Sequence, residues 1–278
     1  MEKFKWPDGY RSAVAFSFDV DGCAEQQLYE GNILGHNSVG DYGPKVGVPR
    51  ILDLLDKYSL KAIFFTPGWV AERFPKRIKE IHDRGHEIGA HGYLHEVFSH
   101  LSESEEREIH DRATKILTDI TGTRPKAFRA PTSILEPTRT LKMLLDRGYD
   151  CSSCSTKDYF PSRIKLEGKE IDMVEIPFSW ILDDFSYFWG GYEDKPEPAF
   201  MPISAPKDVL EYWVAEFDGV HKLGGFFGHL NHPRAIGRVS RLRILEKLIR
   251  HIKATPGVWI TDYREIVNWV LRKQKGGK

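Results

Sequence analysis

The chain has 278 residues, 41% hydrophobic and 29% charged, a composition that supports a large buried core and excludes a disordered or fibrous chain. Forty Lys and Arg balance forty Asp and Glu, so the net charge is +0 and no nucleic acid is expected as main partner. Three cysteines are too few for a disulfide framework, and no run is apolar for long enough to span a bilayer. With no apolar leader after Met1, the expected compartment is the cytoplasm, without a membrane partner.

Short β-branched and aromatic runs alternate with segments of helical periodicity, the pattern of βα units building a mostly parallel sheet, here in a single domain over residues 1–278. The first strand is expected at Ala13 to Phe18. A long Gly- and Asn-containing connection, Glu25 to Gly47, leads to a helix at Pro49 to Tyr58 and a strand at Lys61 to Thr66. A helix at Ala71 to Arg84 and a strand at Glu87 to His91 follow. Ser102 and Glu105 form a capping-box signature opening a helix at Glu103 to Ile120, with Gly122 as its stop. Next come a strand at Ala127 to Ala130, a helix at Pro137 to Arg147, a weaker strand near Cys151 and a strand at Val174 to Ser179. After the aromatic- and Pro-rich connection Asp183 to Pro206, a helix at Lys207 to Phe217, a strand at Gly225 to His229, a helix at Arg241 to Ile252 and a strand at Val258 to Thr261 complete the pattern. The two long connections read as lids or subunit contacts.

Three polar segments fall at or just after strand C-termini: Phe18-Asp19-Val20-Asp21-Gly22, His91-Gly92-Tyr93-Leu94-His95-Glu96 and His229-Leu230-Asn231-His232-Pro233. Arg129 is similarly placed. In parallel sheets that rim is where ligands bind, so one shared site is the economical reading. An isolated Asp-x-Asp would as readily cap a helix, and a lone histidine pair is usually surface decoration. Together they suit a divalent metal: Asp21, His91 and His95 give a two-histidine, one-carboxylate site with open positions, while a second carboxylate stays free as a base. His82, His86, His100 and His110 lie in charged helical or loop stretches and read as exposed or packing residues. Cys151 and Cys154 have no second Cys pair and read as packing.

The first two segments, with Phe128-Arg129-Ala130-Pro131 and His232-Pro233 in that order, resemble the signature motifs of the polysaccharide deacetylase superfamily, carbohydrate esterase family four. Within it, the Asp-x-Asp motif and the stretches Ser179 to Asp184 and His232 to Arg238 look most like a cytoplasmic branch. That branch contains peptidoglycan-deacetylase-like proteins, allantoinases and cyclic imide hydrolases. The resemblance implies an α/β fold, a distorted, incomplete (β/α) barrel of about seven parallel strands with a metal at its C-terminal rim. It implies Asp19 as the catalytic base, Asp21, His91 and His95 as metal ligands, Arg129 as the residue orienting the base, and His232 as the acid protonating the leaving nitrogen. Many members have adjacent aspartates where Val20 intervenes here, which leaves an exchange of the Asp19 and Asp21 roles open.

The implied cofactor is a divalent metal, zinc first, with Co, Ni, Mn or Fe as alternatives. The implied reaction is hydrolysis of an amide C–N bond, with an N-acetylated sugar of a glycan or peptidoglycan as substrate. A small cyclic amide, as for a cyclic imidase or allantoinase, is the alternative. A non-catalytic sugar-binding member of the fold is the reading from another class. Trp180, Phe185, Tyr187, Phe188, Trp189 and Tyr192 could stack on a sugar, but core or subunit packing explains them equally well. A homo-oligomer, as in tetrameric relatives of this branch, is expected.

Overall fold

All eight side chains of β1 (Ser12–Asp19) are buried, and their alternation decides what the two faces of the sheet do. Val14, Phe16 and Phe18 point to the helix layer, where Phe18 stacks on Phe64 at 4.9 Å. Ala13 and Ala15 point to the concave face, and Ser17 and Asp19 follow them in register. Small residues on that side leave room at the strand's end for a polar site.

The computed structural model describes residues 4–29, 34–155, 157–188 and 203–275. After β1 the chain forms α1 (Ala24–Tyr29), α2 (Leu34–Tyr42), a π-helical turn (Gly43–Gly47) and α3 (Val48–Lys57). It continues through β2 (Ile63–Thr66), α4 (Gly68–Arg73), α5 (Pro75–Asp83), β3 (Glu87–Ala90), α6 (Glu103–Thr121), β4 (Ala127–Phe128), α7 (Pro137–Asp146) and β5 (Cys151–Ser152). Then come β6 (Ser162–Leu166), β7 (Lys169–Glu175), α8 (Phe185–Phe188), α9 (Pro206–Leu223), β8 (Phe226–Asn231), α10 (Pro233–Ile236), α11 (Val239–Ala254), β9 (Val258–Ile260) and α12 (Tyr263–Lys275).

The strands form one sheet in the order β6-β7-β5-β4-β3-β2-β1-β8, with β9 also pairing to β1. Every pairing is parallel except β6 with β7. The sheet curls into an incomplete barrel. Helices cover its convex face, while Tyr263, Ile266, Val267 and Val270 of α12 pack with Ala13, Ala15, Ile63 and Phe65 inside the curl. No helix among the described residues is long and apolar enough to cross a membrane.

Most expected elements are present within a few residues. The Ser102 box is complete in both directions, and Gly122 caps α6 in the left-handed region at φ 73. Four differences have local causes. The helix expected at Ala71 to Arg84 is two helices, α4 and α5, because Pro75 disfavours helical geometry at Phe74, which adopts φ −127 and ψ 48. The hairpin of β6 and β7 turns on Glu167 and Gly168, both at positive φ, a primed turn in which Glu stands where Asn or Asp is usual. The connection after Asp21 carries helices α1 and α2. α12 closes the barrel floor, where no helix was expected. Residues 30–33 and 189–202 of the two expected lids, with Trp189 and Tyr192, lie outside the described residues.

Candidate active site

Asp19 ends β1, Asp21 follows it, His91 follows β3, Arg129 follows β4 and His232 follows β8. The structure brings all of them, with His95, to one cavity of about 240 Å³ at the strand C-terminal rim.

The histidine segment is a turn rather than a helix. Gly92 sits at φ 70 and His95 at φ 65, the second a strained value for a residue with a Cβ. Glu96 holds this turn from beneath, its carboxylate accepting from Tyr93 N at 2.9 Å and Leu94 N at 2.8 Å. His91 Nδ1 donates to the Arg129 carbonyl oxygen at 2.7 Å, which leaves the Nε2 lone pair free. Nε2 of His91 lies 3.5 Å from Asp21 Oδ1, and Nε2 of His95 lies 3.9 Å from the same oxygen. Asp21 Oδ1 is buried and takes no hydrogen bond.

Burial pushes His91 well below the usual histidine range and His95 down to about 4, so both rings are neutral near pH 7 and present lone pairs rather than protons. An orphaned carboxylate oxygen facing two neutral imidazoles is a donor set that fits a divalent cation.

Asp19 has a different environment. Arg129 Nη1 donates to Asp19 Oδ1 at 2.7 Å and to Ser17 Oγ at 3.2 Å; Nε reaches Ser153 O at 3.2 Å. Nη2 reaches Ser153 Oγ at 2.9 Å and Tyr263 Oη at 3.1 Å, and the guanidinium lies over Phe65 at 4.3 Å. All of its N–H groups are engaged. Burial raises Asp19 to about 6, with Arg129 opposing that rise.

His232 Nδ1 lies 2.9 Å from Asp184 Oδ1 and 3.2 Å from Asp183 Oδ1, and its own backbone N–H donates to Asp184 Oδ1 at 2.8 Å. Burial disfavours its charge, yet Asp183 and Asp184 at Nδ1, with Asp21 on the Nε2 side, hold it well above the usual range. A ring held in its charged form is a proton donor and a poor metal ligand, so the Asp183, Asp184 and His232 cluster suits proton transfer rather than a second metal.

Other residues behave as their strand parity dictates. His229 lies on the opposite face of β8 from Leu230 and packs edge-on against Trp213 of α9 at 4.4 Å, outside the cavity. His86 and His110 are buried packing residues, His100 is exposed and His82 is partly buried. Cys154 Sγ accepts from Ala130 N at 3.2 Å and Cys151 is buried in the core. Trp180 and Phe185 line the cavity, Phe188 is core, and Tyr187 packs on Tyr212 and Trp213. Glu96, Asp183, Asp184, Tyr263 and Arg234 were not singled out by the sequence. Glu96, in the histidine motif, the aspartates, in the Ser179 to Asp184 stretch, and Arg234, in the His232 to Arg238 stretch, lay in segments already marked, whereas Tyr263 did not.

The pattern of the polysaccharide deacetylase family matches residues 40–152. A peptidoglycan deacetylase of Helicobacter pylori is 31% identical over 94% of this chain and 96% of its own length. A peptidoglycan deacetylase-like protein, FGM2, of Gibberella zeae is 30% identical over 62% of this chain and 58% of its own. Among solved structures, a candidate polysaccharide deacetylase from Mycobacterium smegmatis superposes with a TM-score of 0.91 at 33% identity, covering 99% of this chain and 95% of that one. PuuE allantoinase superposes with a TM-score of 0.80 at 25% identity, covering 95% and 91%.

Proposed function

This chain belongs to the polysaccharide deacetylase family, and we propose that it hydrolyses its amide substrate with a divalent metal held by Asp21, His91 and His95. It is a hydrolase of carbon–nitrogen bonds. The observation that carries the proposed mechanism is the division of labour at the rim. Asp21 Oδ1 faces two neutral histidines, Arg129 holds Oδ1 of Asp19 and leaves its Oδ2 at the rim 3.8 Å from His91 Nε2, and His232 is held in its charged form by two aspartates.

A divalent cation, when bound, polarises an amide carbonyl and makes water more acidic, worth several kcal/mol in general. Asp19 takes the proton from the attacking water through Oδ2, since Arg129 holds Oδ1. Arg129 fixes that carboxylate's orientation. His232 gives its Nε2 proton to the departing nitrogen, and Asp184 keeps the ring oriented through Nδ1. The nominal reaction is removal of an N-acetyl group from an amino sugar, a reading supported by the likeness to a peptidoglycan deacetylase of Helicobacter pylori.

One feature favours a second substrate class. The cavity, about 240 Å³, lies below the range of roughly 300 to 1,000 Å³ of ordinary ligand pockets, which suits a small cyclic amide. The likeness to an allantoinase structure supports the same reading. Half-exposed Trp180 and Ile181 beside the cavity support a subunit contact there, in a homo-oligomer.

Metal-loaded protein assayed for acetate release from N-acetylglucosamine oligomers and for ring opening of cyclic imides, hydantoin and allantoin tests the reading. Activity lost with a chelator and restored by zinc or cobalt is expected. Fully loaded protein inactive on both classes would leave only a binding role.

A further inference from the structure

Asp21 divides its two oxygens between opposite surroundings. Oδ1 faces His91 and His95 at 3.5 and 3.9 Å, while Oδ2 lies 3.4 Å from Arg234 Nη2 and 3.6 Å from His232 Nε2. Arg234 is itself buried, donates from Nη1 to the Gly22 carbonyl oxygen at 3.1 Å and lies over the Phe185 ring at 5.0 Å. Its backbone has little freedom, because α10 lies directly against the π-helical turn. A Cβ on Gly47 would overlap the Pro233 carbonyl oxygen, and one on Gly43 would come within 3.2 Å of Arg234 N.

We propose that Arg234 is a positioning residue that reserves one oxygen of Asp21, so that the carboxylate offers the metal a single oxygen and a coordination position stays open for water or substrate. The inference rests on the metal-dependent reading above. A carboxylate binds through both oxygens only when both can turn to the ion, and here the second is engaged by a guanidinium anchored at Gly22. Arg234 also places a positive charge beside the metal ligand, which tempers the site's affinity for a cation. The family resemblance assigned no role to this residue.

The test is a cobalt(II) titration of metal-free wild type, Arg234→Lys, Arg234→Gln and Arg234→Met, read by visible absorption and by chelator competition. Cobalt absorption weakens as coordination number rises. The wild type and the lysine variant should show intense bands. The two neutral variants should show weaker bands and bind cobalt more tightly, by about 10- to 100-fold, the scale of removing one positive charge several ångströms from the ion at a protein's effective dielectric. Circular dichroism checks folding, and the methionine variant decides if the glutamine variant misfolds. Neutral variants with the wild-type spectrum, or with equal or weaker affinity, overturn this proposal alone. A wild type that binds no cobalt through Asp21, shown by an unchanged titration of Asp21→Asn, overturns the metal reading and this one with it.

Discussion

Arg129 meets Asp19 Oδ1 at 2.7 Å with every other N–H already engaged, two with Ser153, one with Ser17 and one with Tyr263. The guanidinium cannot swing away, so Asp19 Oδ1 is held by Arg129, while Asp19 Oδ2 lies 3.8 Å from His91 Nε2, beside the point where Asp21 Oδ1 faces both histidines. Asp19→Asn is therefore expected to lower turnover by about 10²- to 10⁴-fold, the usual contribution of a general base, with metal content near wild type. Asp21→Asn should lose metal first. Elemental analysis and kcat on the same preparations check this, and a metal-free Asp19→Asn would exchange the two roles.

The same pair makes a stability prediction. Arg129→Met leaves a buried carboxylate without its countercharge, which costs about 3 to 5 kcal/mol. Adding Asp19→Asn should restore much of that loss, because no buried charge then remains unpaired. Urea denaturation of the single and double variants near pH 7 measures it. Equal midpoints for wild type and Arg129→Met would mean that the carboxylate is satisfied in another way.

The strands and the rim residues were legible because they rest on local pattern. Apolar runs end where Asp19, His91 and Arg129 begin, and each residue's side of the sheet follows from parity. Partners that come from afar were not legible. Tyr263 lies 134 residues from Arg129, Asp184 lies 48 from His232, and nothing local marks either pairing. The antiparallel β6 hairpin hid behind a Glu-Gly turn. α12 was missed although Asp262 and Glu265 mark its start, Asp262 Oδ1 accepting from Glu265 N at 2.9 Å, because it follows β9 after two residues and only the floor of the curl explains what its apolar face covers.

Glu87, at the opposite end of β3 from the site, predicts a pH effect on stability. Burial raises its carboxyl to about 8 from 4.5, against the pull of Arg264 and with Asp262 and Asp150 adding to the rise. The folded state thus keeps a proton that the unfolded state releases. The stability linked to that proton is fully present below about pH 4.5 and is lost as pH rises toward 8. Glu87→Gln should accordingly match the wild type near pH 4.5 and exceed it increasingly toward pH 8, by on the order of a few kcal/mol. Thermal or urea unfolding across that range decides it. A difference independent of pH would show that Glu87 is ionised in the folded protein.

Substrate size is the remaining question, and Trp180 offers a handle on it. The cavity holds about 240 Å³, and Trp180 stands half-exposed beside it, its ring edge-on to Phe178 at 5.1 Å. A small ring fits such a space whole, whereas a glycan must place only its acetamido group inside and run the rest of the chain past the indole. If the mouth excludes long chains, kcat/KM for a cyclic amide should exceed that for a chitin or peptidoglycan oligomer at equal metal loading. Trp180→Ala should then narrow the gap by raising activity on the oligomer, with little change on the small ring. If the indole instead stacks on a sugar, Trp180→Ala should raise KM for the oligomer, a loss of about 1 to 3 kcal/mol of stacking and burial. Efficient deacetylation of a long oligomer by the wild type, weakened by Trp180→Ala, would rule out the small-ring reading and leave the deacetylase reading alone.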